Sequence, residues 1–576
     1  MQLALPFFAL LSAVAAAPAP AWKFTERGSS GVVAIEAIVV APNLVIFLDR
    51  ASNDPLKTPD GKTAWSAIWN LETHTSTPLI GTTSDTFCGS GSLISNGSMI
   101  SVGGTIPNVN WTATTGANDG RMSVRIFEPC TTADGAGCTI FDDPGVIHLA
   151  ETRWYTSTAR IFDGSLMIEF MKAPHSTTYI FFHSSLVFSD NLQTDPVNSF
   201  EFFPPKDGGV PRPSAFLERS NPVNLFPRVF PLPDGKVFIL ANNISMIYDI
   251  EKNTETMLPD LPNGQRVSNP FDGTATMLPL SPPLYIPEIL ACGGSHKSDT
   301  TPVEELSAND PASTQCSRLT LNPAGIARGW QVEHMPQGRM MPEMLLLPNG
   351  EVLILGGGST GYAAAASIGV TFGTSNAANP VFTPMLYNPN ALPGFRMSSQ
   401  GFPATNIARM YHSSYTLTPQ GNILLAGSNP NNNITIVPPG QPGFSAELRV
   451  ETLDPPFFSA PRPVLSNVPA KIGFNQHITV GIDIPAHLPA LNMKVALMDL
   501  GFSTHAFHNN QRLVFMDFVL SPNRRSLTIL TPPNNRVYPP GPAYIFVTVG
   551  DSTSVAAHVM VGTGGSPPVA DQGIRI

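Results

Sequence analysis

Leu345-Leu346-Leu347-Pro348-Asn349-Gly350-Glu351-Val352-Leu353-Ile354-Leu355-Gly356-Gly357 holds the unit from which most of this chain is built. An apolar run meets a turn of Pro or Ser with Asn-Gly, a second apolar run follows, and the copy closes on Gly-Gly. Leu93-Ile94-Ser95-Asn96-Gly97-Ser98-Met99-Ile100, ending at Gly103-Gly104, repeats the pattern. Further copies turn at Asp163-Gly164, Asp234-Gly235 and Gln420-Gly421. Two degenerate ones turn at Pro42-Asn43 and pass Ser281 to end at Gly293-Gly294. Each copy reads as a hairpin, because Asn-Gly and Asp-Gly tolerate the positive φ that a two-residue turn between twisted strands demands. The seven turns lie roughly 50 to 70 residues apart. That spacing leaves room for four strands per unit, about the period of a kelch-type blade. The expected fold is therefore all-β, a seven-bladed kelch-type β-propeller over 25–457.

After Thr452-Leu453-Asp454-Pro455-Pro456 the pattern stops. Short alternating runs such as His477-Ile478-Thr479-Val480-Gly481-Ile482 and Ala543-Tyr544-Ile545-Phe546-Val547-Thr548-Val549 take over. They predict a C-terminal immunoglobulin-like β-sandwich over 458–563 and a tail over 564–576. Composition agrees with an all-β chain. Only 13% of the residues are charged, while Pro (58) and Gly (47) are abundant, which suits short strands joined by turns. A net charge of −10 with no Lys/Arg block argues against nucleic acid and against an anionic membrane as partner.

At the N-terminus, Leu3 to Val14 is apolar apart from Ser12, and Ala15-Ala16-Ala17 supplies small residues for cleavage. Residues 1–17 are expected to be a secretory signal peptide cleaved within 16–21, although no Lys or Arg precedes the apolar run. No stretch is long and apolar enough to predict a membrane span. Sequons at Asn96, Asn110, Asn243 and Asn433 fit an extracellular glycoprotein. In an oxidising compartment the five cysteines should pair. Cys130 with Cys138 could close a Gly-rich loop, Cys292 with Cys316 is the next plausible pair, and Cys88 is left over.

Familiar catalytic motifs are absent. Gly357-Gly358-Ser359-Thr360-Gly361 matches the nucleophile-elbow pattern, but it overlaps the end of a repeat copy where the required strand–turn–helix has no place. A dispersed set remains. Cys88, Tyr155, Tyr411 and His412 each come just before the first strand of a repeat hairpin, at one end of a propeller's channel. His505 lies in Ser503-Thr504-His505-Ala506 of the second domain. Two imidazoles and two phenolates make a tetragonal N/O site suited to Cu(II). His508 competes with His505. On an extended strand residues three apart face opposite sides, so only one should reach a metal. Singly, Cys88 reads as a buried thiol and Tyr155 as a core aromatic.

Thr86-Phe87-Cys88, Arg153-Trp154-Tyr155, Glu201-Phe202-Phe203-Pro204-Pro205-Lys206, Tyr411-His412-Ser413, Thr504-His505-Ala506 and Gln511-Arg512 carry a specific resemblance. The chain is similar to the glyoxal oxidase branch of the copper-radical oxidases, the group that includes galactose oxidase. That resemblance implies one copper ion and a radical cofactor in which Cys88 is thioether-linked to Tyr155. It implies Tyr155, Tyr411, His412 and His505 as copper ligands, with Tyr411 also the proton acceptor. The implied activity is oxidation of small aldehydes of the glyoxal and methylglyoxal type with O2 and water to carboxylic acids and hydrogen peroxide. Extracellular peroxidases would be partners through that peroxide, and the protein would be a secreted monomer. Oxidation of primary alcohols is the alternative within the class. A non-catalytic propeller binding glycans or protein is the alternative outside it, but such a relative should have lost at least one of the five site residues. Two features depart from the family. The Tyr155 repeat ends Ile168-Glu169-Phe170-Met171-Lys172 in place of Gly-Gly, and the position of galactose oxidase's stacking tryptophan falls near Ala173.

Overall fold

A computed structural model describes residues 21–568 apart from 108–114, 131, 172–196, 303–304, 366–374, 432–433 and 438–442. The expected signal segment, Asn110, Asn433 and Ala173 lie outside the described residues, as does the end of the C-terminal tail. Among the described residues no helix is long and apolar enough to cross a membrane.

Each of the seven sequence hairpins falls in its own four-stranded antiparallel sheet. The first strands of these sheets are Glu36–Ala41, Ser90–Leu93, Trp154–Arg160, Arg228–Pro231, Gly273–Met277, Glu343–Leu346 and Ser413–Leu417. Each packs against the first strand of the next, and the last returns to the first, so the ring is closed. Closure uses both ends of the propeller segment: Lys23–Ser29 pairs antiparallel with Arg449–Asp454, making the N-terminal strand the outer edge of the last sheet. The apolar faces of adjacent sheets bury one another, as where Ala159, Met167 and Phe200 meet Val229 and Ile239.

The Gly-Gly ends have a steric reason. A Cβ on Gly104 would sit 2.1 Å from the Asp85 carbonyl oxygen, and one on Gly427 would sit 2.1 Å from that of Ala34. Only glycine lets the end of the second strand pass so near its neighbour's backbone. The Tyr155 sheet departs from this rule: its second strand, Leu166–Met171, continues until Met171 pairs with Trp154.

Pro456–Ser459 forms a short 3-10 turn, after which two sheets stack as a sandwich. One contains Val464–Ser466, His477–Asp483, Ser526–Leu530 and Phe518–Leu520; the other contains Met493–Asp499, Arg512–Phe515, Gly541–Val549 and Ala557–Val561. Its core, including Val480, Leu497, Leu527 and Ile545, is continuous with propeller residues such as Phe230 and Leu280. The sandwich sends one element out of its own fold. The hairpin Phe502–Thr504 and Phe507–Asn509 pairs with Glu36–Ile38 and extends that sheet to six strands. This finger packs against the inner strand of all seven propeller sheets, so it fills the channel.

Candidate copper site

The residues that end up together come from one repeated feature and one insertion. At the mouth of the channel the chain enters five of the seven inner strands through a residue of left-handed backbone. Cys88 (φ 59°), Tyr155 (63°) and His412 (64°) share it with Phe226 (50°) and Met341 (58°). Non-glycine residues rarely hold such angles, and the surrounding structure must impose them. Here the repeat imposes them, so the site residues use a conformation the propeller already has. Tyr155 differs slightly from expectation. It lies inside its strand, which begins at Trp154, and the register shift between Trp154 and Ser157 supplies the break.

The Tyr411-His412 pair is fastened by its own sheet. Arg409 bonds the Glu451 carboxylate at 3.0 Å and donates to Gly427 O at 2.8 Å. Ser428 N–H then donates to His412 O and Asn429 N–H to Tyr411 O, both at 2.8 Å. Asn429 O accepts His412 Nδ1–H at 2.8 Å, which leaves a lone pair on Nε2. That Nε2 is buried and has no hydrogen-bond partner. Burial, followed by the nearby Arg50 charge, holds the ring well below the usual histidine range and therefore neutral.

His505 arrives from the finger. Phe502 pairs with Asn509, Ser503 with His508 and Thr504 with Phe507, so His505 and Ala506 are the two loop residues of a tight hairpin. Their φ values, 46° and 59°, are those of a type I′ turn, a geometry that normally selects Asn-Gly. His505 Nδ1 is 2.6 Å from Thr504 Oγ1, and Nε2 is 3.1 Å from Cys88 Sγ. Burial first, then His412, depresses its proton affinity as well.

The expectation that His505 and His508 oppose each other on an extended strand is corrected here: a turn lies between them. His508 cannot serve because both its nitrogens are taken, Nδ1 by Glu343 Oε1 at 2.6 Å and Nε2 by Leu500 O at 2.5 Å.

The structure brings all five expected residues together. The Tyr155 and Tyr411 hydroxyls are 3.4 Å apart, and ligand atoms of Cys88, His412 and His505 lie within 4.8 Å of one another. Cys88 is buried and unpaired, while Cys130–Cys138 and Cys292–Cys316 are bonded. Tyr155 N–H donates to Cys88 O at 3.0 Å. Desolvation raises the proton affinity of Cys88 and of both phenols. An unpartnered imidazole nitrogen, two neutral histidines fixed through Nδ1 and two phenols form a fitting donor set for Cu(II). A metal would also offset the cost of deprotonating those phenols in a dry site.

Two side chains that line this site were not singled out from sequence. Phe226 stacks on His505 at 4.3 Å between centroids, and Met341 packs in one buried cluster with Tyr411. The signal was available. Leu225-Phe226-Pro227-Arg228 and Met340-Met341-Pro342-Glu343 occupy the repeat position of Phe87-Cys88 and Trp154-Tyr155. Trp154 itself lies against Tyr155, with centroids 4.6 Å apart and planes tilted by 55°. Ser359, by contrast, sits in a strand paired antiparallel with Ser375–Pro380 and donates to Asn379 O.

A closed ring of antiparallel sheets plugged by an Ig-domain hairpin, with Cys, two Tyr and two His at the plug's tip, defines the copper-radical oxidase architecture. Residues 50–457 match the family model for the glyoxal oxidase N-terminus, and 462–561 match the galactose oxidase-like early set domain. The chain belongs to the glyoxal oxidase family. It is 30% identical over 569 residues to an aldehyde oxidase GLOX of Vitis pseudoreticulata, covering 92% of this chain and 95% of that one. Aldehyde oxidase GLOX1 of Arabidopsis thaliana is 28% identical, covering 86% of this chain and 75% of that one. A solved copper complex of a fungal alcohol oxidase of the AA5 family has the same fold, with TM-score 0.65 and 16% identity, covering 94% of this chain and 99% of the other.

Proposed function

We propose that this protein is a secreted copper-radical aldehyde oxidase that carries out RCH(OH)2 + O2 → RCOOH + H2O2. The observation that carries the reading is the buried, partnerless Nε2 of His412 facing the same space as His505 Nε2 and the Tyr155 and Tyr411 hydroxyls. Tyr155, Tyr411, His412 and His505 would hold the copper, which when bound supplies an open coordination position and a one-electron redox partner.

Hydration of an aldehyde provides the hydroxyl and the C–H that the protein groups act on. Tyr411, as phenolate, accepts the hydroxyl proton, for which it must lie within hydrogen-bond reach. Tyr155, were it thioether-linked to Cys88 and oxidised by one electron, would supply the acceptor for the hydrogen atom on that carbon. Dioxygen accepts the two electrons and two protons and leaves as hydrogen peroxide, so no flavin or nicotinamide is required. The apolar packing of Phe87, Phe226 and Leu225 around Tyr155 excludes water from this chemistry.

Export through the secretory route, with glycosylation and a kelch-type repeat, belongs to the same proposal. Two disulfides beside one buried thiol support it. Released peroxide would serve extracellular peroxidases, with the oxidase acting as a monomer.

The test is peroxide yield from the copper-loaded, oxidised protein on a panel of small aldehydes and primary alcohols, with peptide mapping of the same sample. Aldehydes should give peroxide, and a Cys88–Tyr155 peptide pair should have lost two hydrogens. Peroxide from alcohols alone, or Cys88 recovered as a free thiol in active enzyme, would overturn the reading.

A further inference from the structure

Asn269 places a buried amide between the surroundings of the two phenols. Its backbone N–H donates to Leu225 O at 3.2 Å, and Leu225 packs in one cluster with Tyr155. Two residues further on, Phe271 packs in one cluster with Tyr411. The amide group itself lies against the Tyr411 hydroxyl. Asn269 Nδ2 donates to Asp272 Oδ2 at 2.8 Å, and Arg228 pairs with Asp272 Oδ1 at 3.0 Å. All three side chains are fully buried. The same network reaches the wall residues on either side: Arg228 donates to Phe226 O at 3.1 Å, and Asp272 O accepts Met341 N–H at 2.7 Å.

Asp272 fixes which way the amide faces. Turned over, Asn269 would set its own oxygen against a carboxylate oxygen, where neither can donate. With the nitrogen on that side, one N–H goes to Asp272 and the second is free for the Tyr411 oxygen. Asn269 Oδ1 is left buried without a partner. An apolar side chain of similar size would avoid that cost, so packing alone does not account for an amide at this position.

We propose that Asn269 is a positioning residue for proton transfer to Tyr411, its Nδ2–H held on the phenol oxygen by Asp272. This rests on the oxidase reading above. One fixed donor occupies one lone pair of that oxygen and sets the pose of the ring. The rest of the oxygen then faces the space shared with Tyr155, whose hydroxyl is 3.4 Å away. An amide keeps its proton, so it supports a phenolate without neutralising it, as a neighbouring acid would.

The experiment compares wild type, Asn269→Leu and Asp272→Asn holoenzymes. Copper content, the thermal midpoint and the visible absorption of the resting Cu(II) protein are read without substrate. Then kcat and KM for methylglyoxal are measured in H2O and in D2O. In Asn269→Leu the KM and copper content should stay within about twofold of wild type, and the midpoint should not fall. Its kcat should drop about tenfold, the worth of one lost hydrogen bond, and the solvent isotope effect should grow. The tyrosinate-to-copper absorption should shift in the same variant. Asp272→Asn, which no longer dictates the amide's orientation, should change kcat and absorption in the same direction by less. Wild-type kcat and absorption in Asn269→Leu would overturn the proposal. A kcat loss that only follows copper loss, or an Asn269→Leu chain that does not fold, would make the amide a structural bond and overturn it too. A wild type that oxidises no aldehyde, with its absorption still shifted by Asn269→Leu, would defeat the oxidase reading and sustain the contact with Tyr411.

Discussion

The propeller wall and the finger that fills it supply the side chains of the candidate site by opposite means. On the wall, Cys88, Tyr155 and His412 occupy a position that every well-formed repeat offers, and the left-handed backbone there also appears at Phe226 and Met341. Five of the seven sheets hold that geometry, two of them with an apolar residue there. The finger has no such redundancy. His505 and Ala506 adopt a type I′ turn without the glycine that normally makes it easy. That turn persists because the strands below it are locked. Glu343 accepts from Ser503 Oγ at 2.8 Å and pairs with His508, while Gln511 takes Leu346 N–H at 3.0 Å and donates to Met344 O at 2.7 Å. Arg512 donates to Val537 O and Pro231 O, both at 2.7 Å, tying the finger's base to sandwich and propeller at once. The wall is positioned by repetition and the finger by a few buried polar bonds, so the two should fail differently.

The largest effect should come from the wall's chemistry. Tyr411→Phe removes one hydroxyl from a residue whose backbone is held by Asn429, so fold and copper content should survive. Turnover should drop by roughly 10²–10⁴-fold, the usual worth of a positioned proton acceptor. Near wild-type kcat on any aldehyde would mean that the proton leaves by another route.

The finger's two histidines sharpen the comparison. His505→Ala should abolish stoichiometric copper binding while costing the metal-free protein no more than about 1–2 kcal/mol, since it removes an imidazole from a strained turn. His508→Ala should do the reverse. It leaves the Glu343 carboxylate buried without its partner, which costs roughly 3–5 kcal/mol in urea denaturation, yet the folded protein should still take up copper at saturating metal. Loss of copper in His508→Ala with unchanged stability would invert the assignment.

The smallest effect concerns the seam where finger meets wall. Glu36 pairs across to Thr504, and burial pushes its carboxyl up from 4.5 to about 8, with Arg125 pulling the other way. The folded state thus holds this proton more tightly than the unfolded chain does. Its contribution to stability is complete below about pH 4.5 and is lost as pH rises towards 8. Glu36→Gln cannot lose that proton. Between pH 5 and pH 8 the wild type should therefore lose about 1–3 kcal/mol more stability than the variant. Parallel pH profiles for the two proteins would show that Glu36 titrates alike in both states.

How legible each region was follows from the same contrast. Gly-Gly ends and Asn-Gly or Asp-Gly turns are local requirements of backbone sterics, so the hairpins and their spacing could be read directly. The matching positions of Cys88, Tyr155 and Tyr411-His412 followed from that spacing. The same rule would have found Phe226 and Met341, had apolar residues been allowed as site residues. Thr504-His505-Ala506 singles out His505 through the family resemblance, whereas the expectation that only one of His505 and His508 reaches a metal because they face opposite sides of one strand does not describe a hairpin turn.

By itself the sequence determined the hairpins, the break after the last repeat, the odd cysteine and the donor types, because each depends on residues close together in the chain. Only the tertiary structure decided that the N-terminal strand Lys23–Ser29 closes the ring beside Arg449–Asp454, hundreds of residues away. It alone decided that a hairpin of the sandwich leaves its own sheet to fill the channel. It also fixed which nitrogen of His412 is left without a partner and which residues occupy both nitrogens of His508. Those outcomes turn on which buried polar groups find partners across the whole fold, and no local pattern records the far end of such a bond.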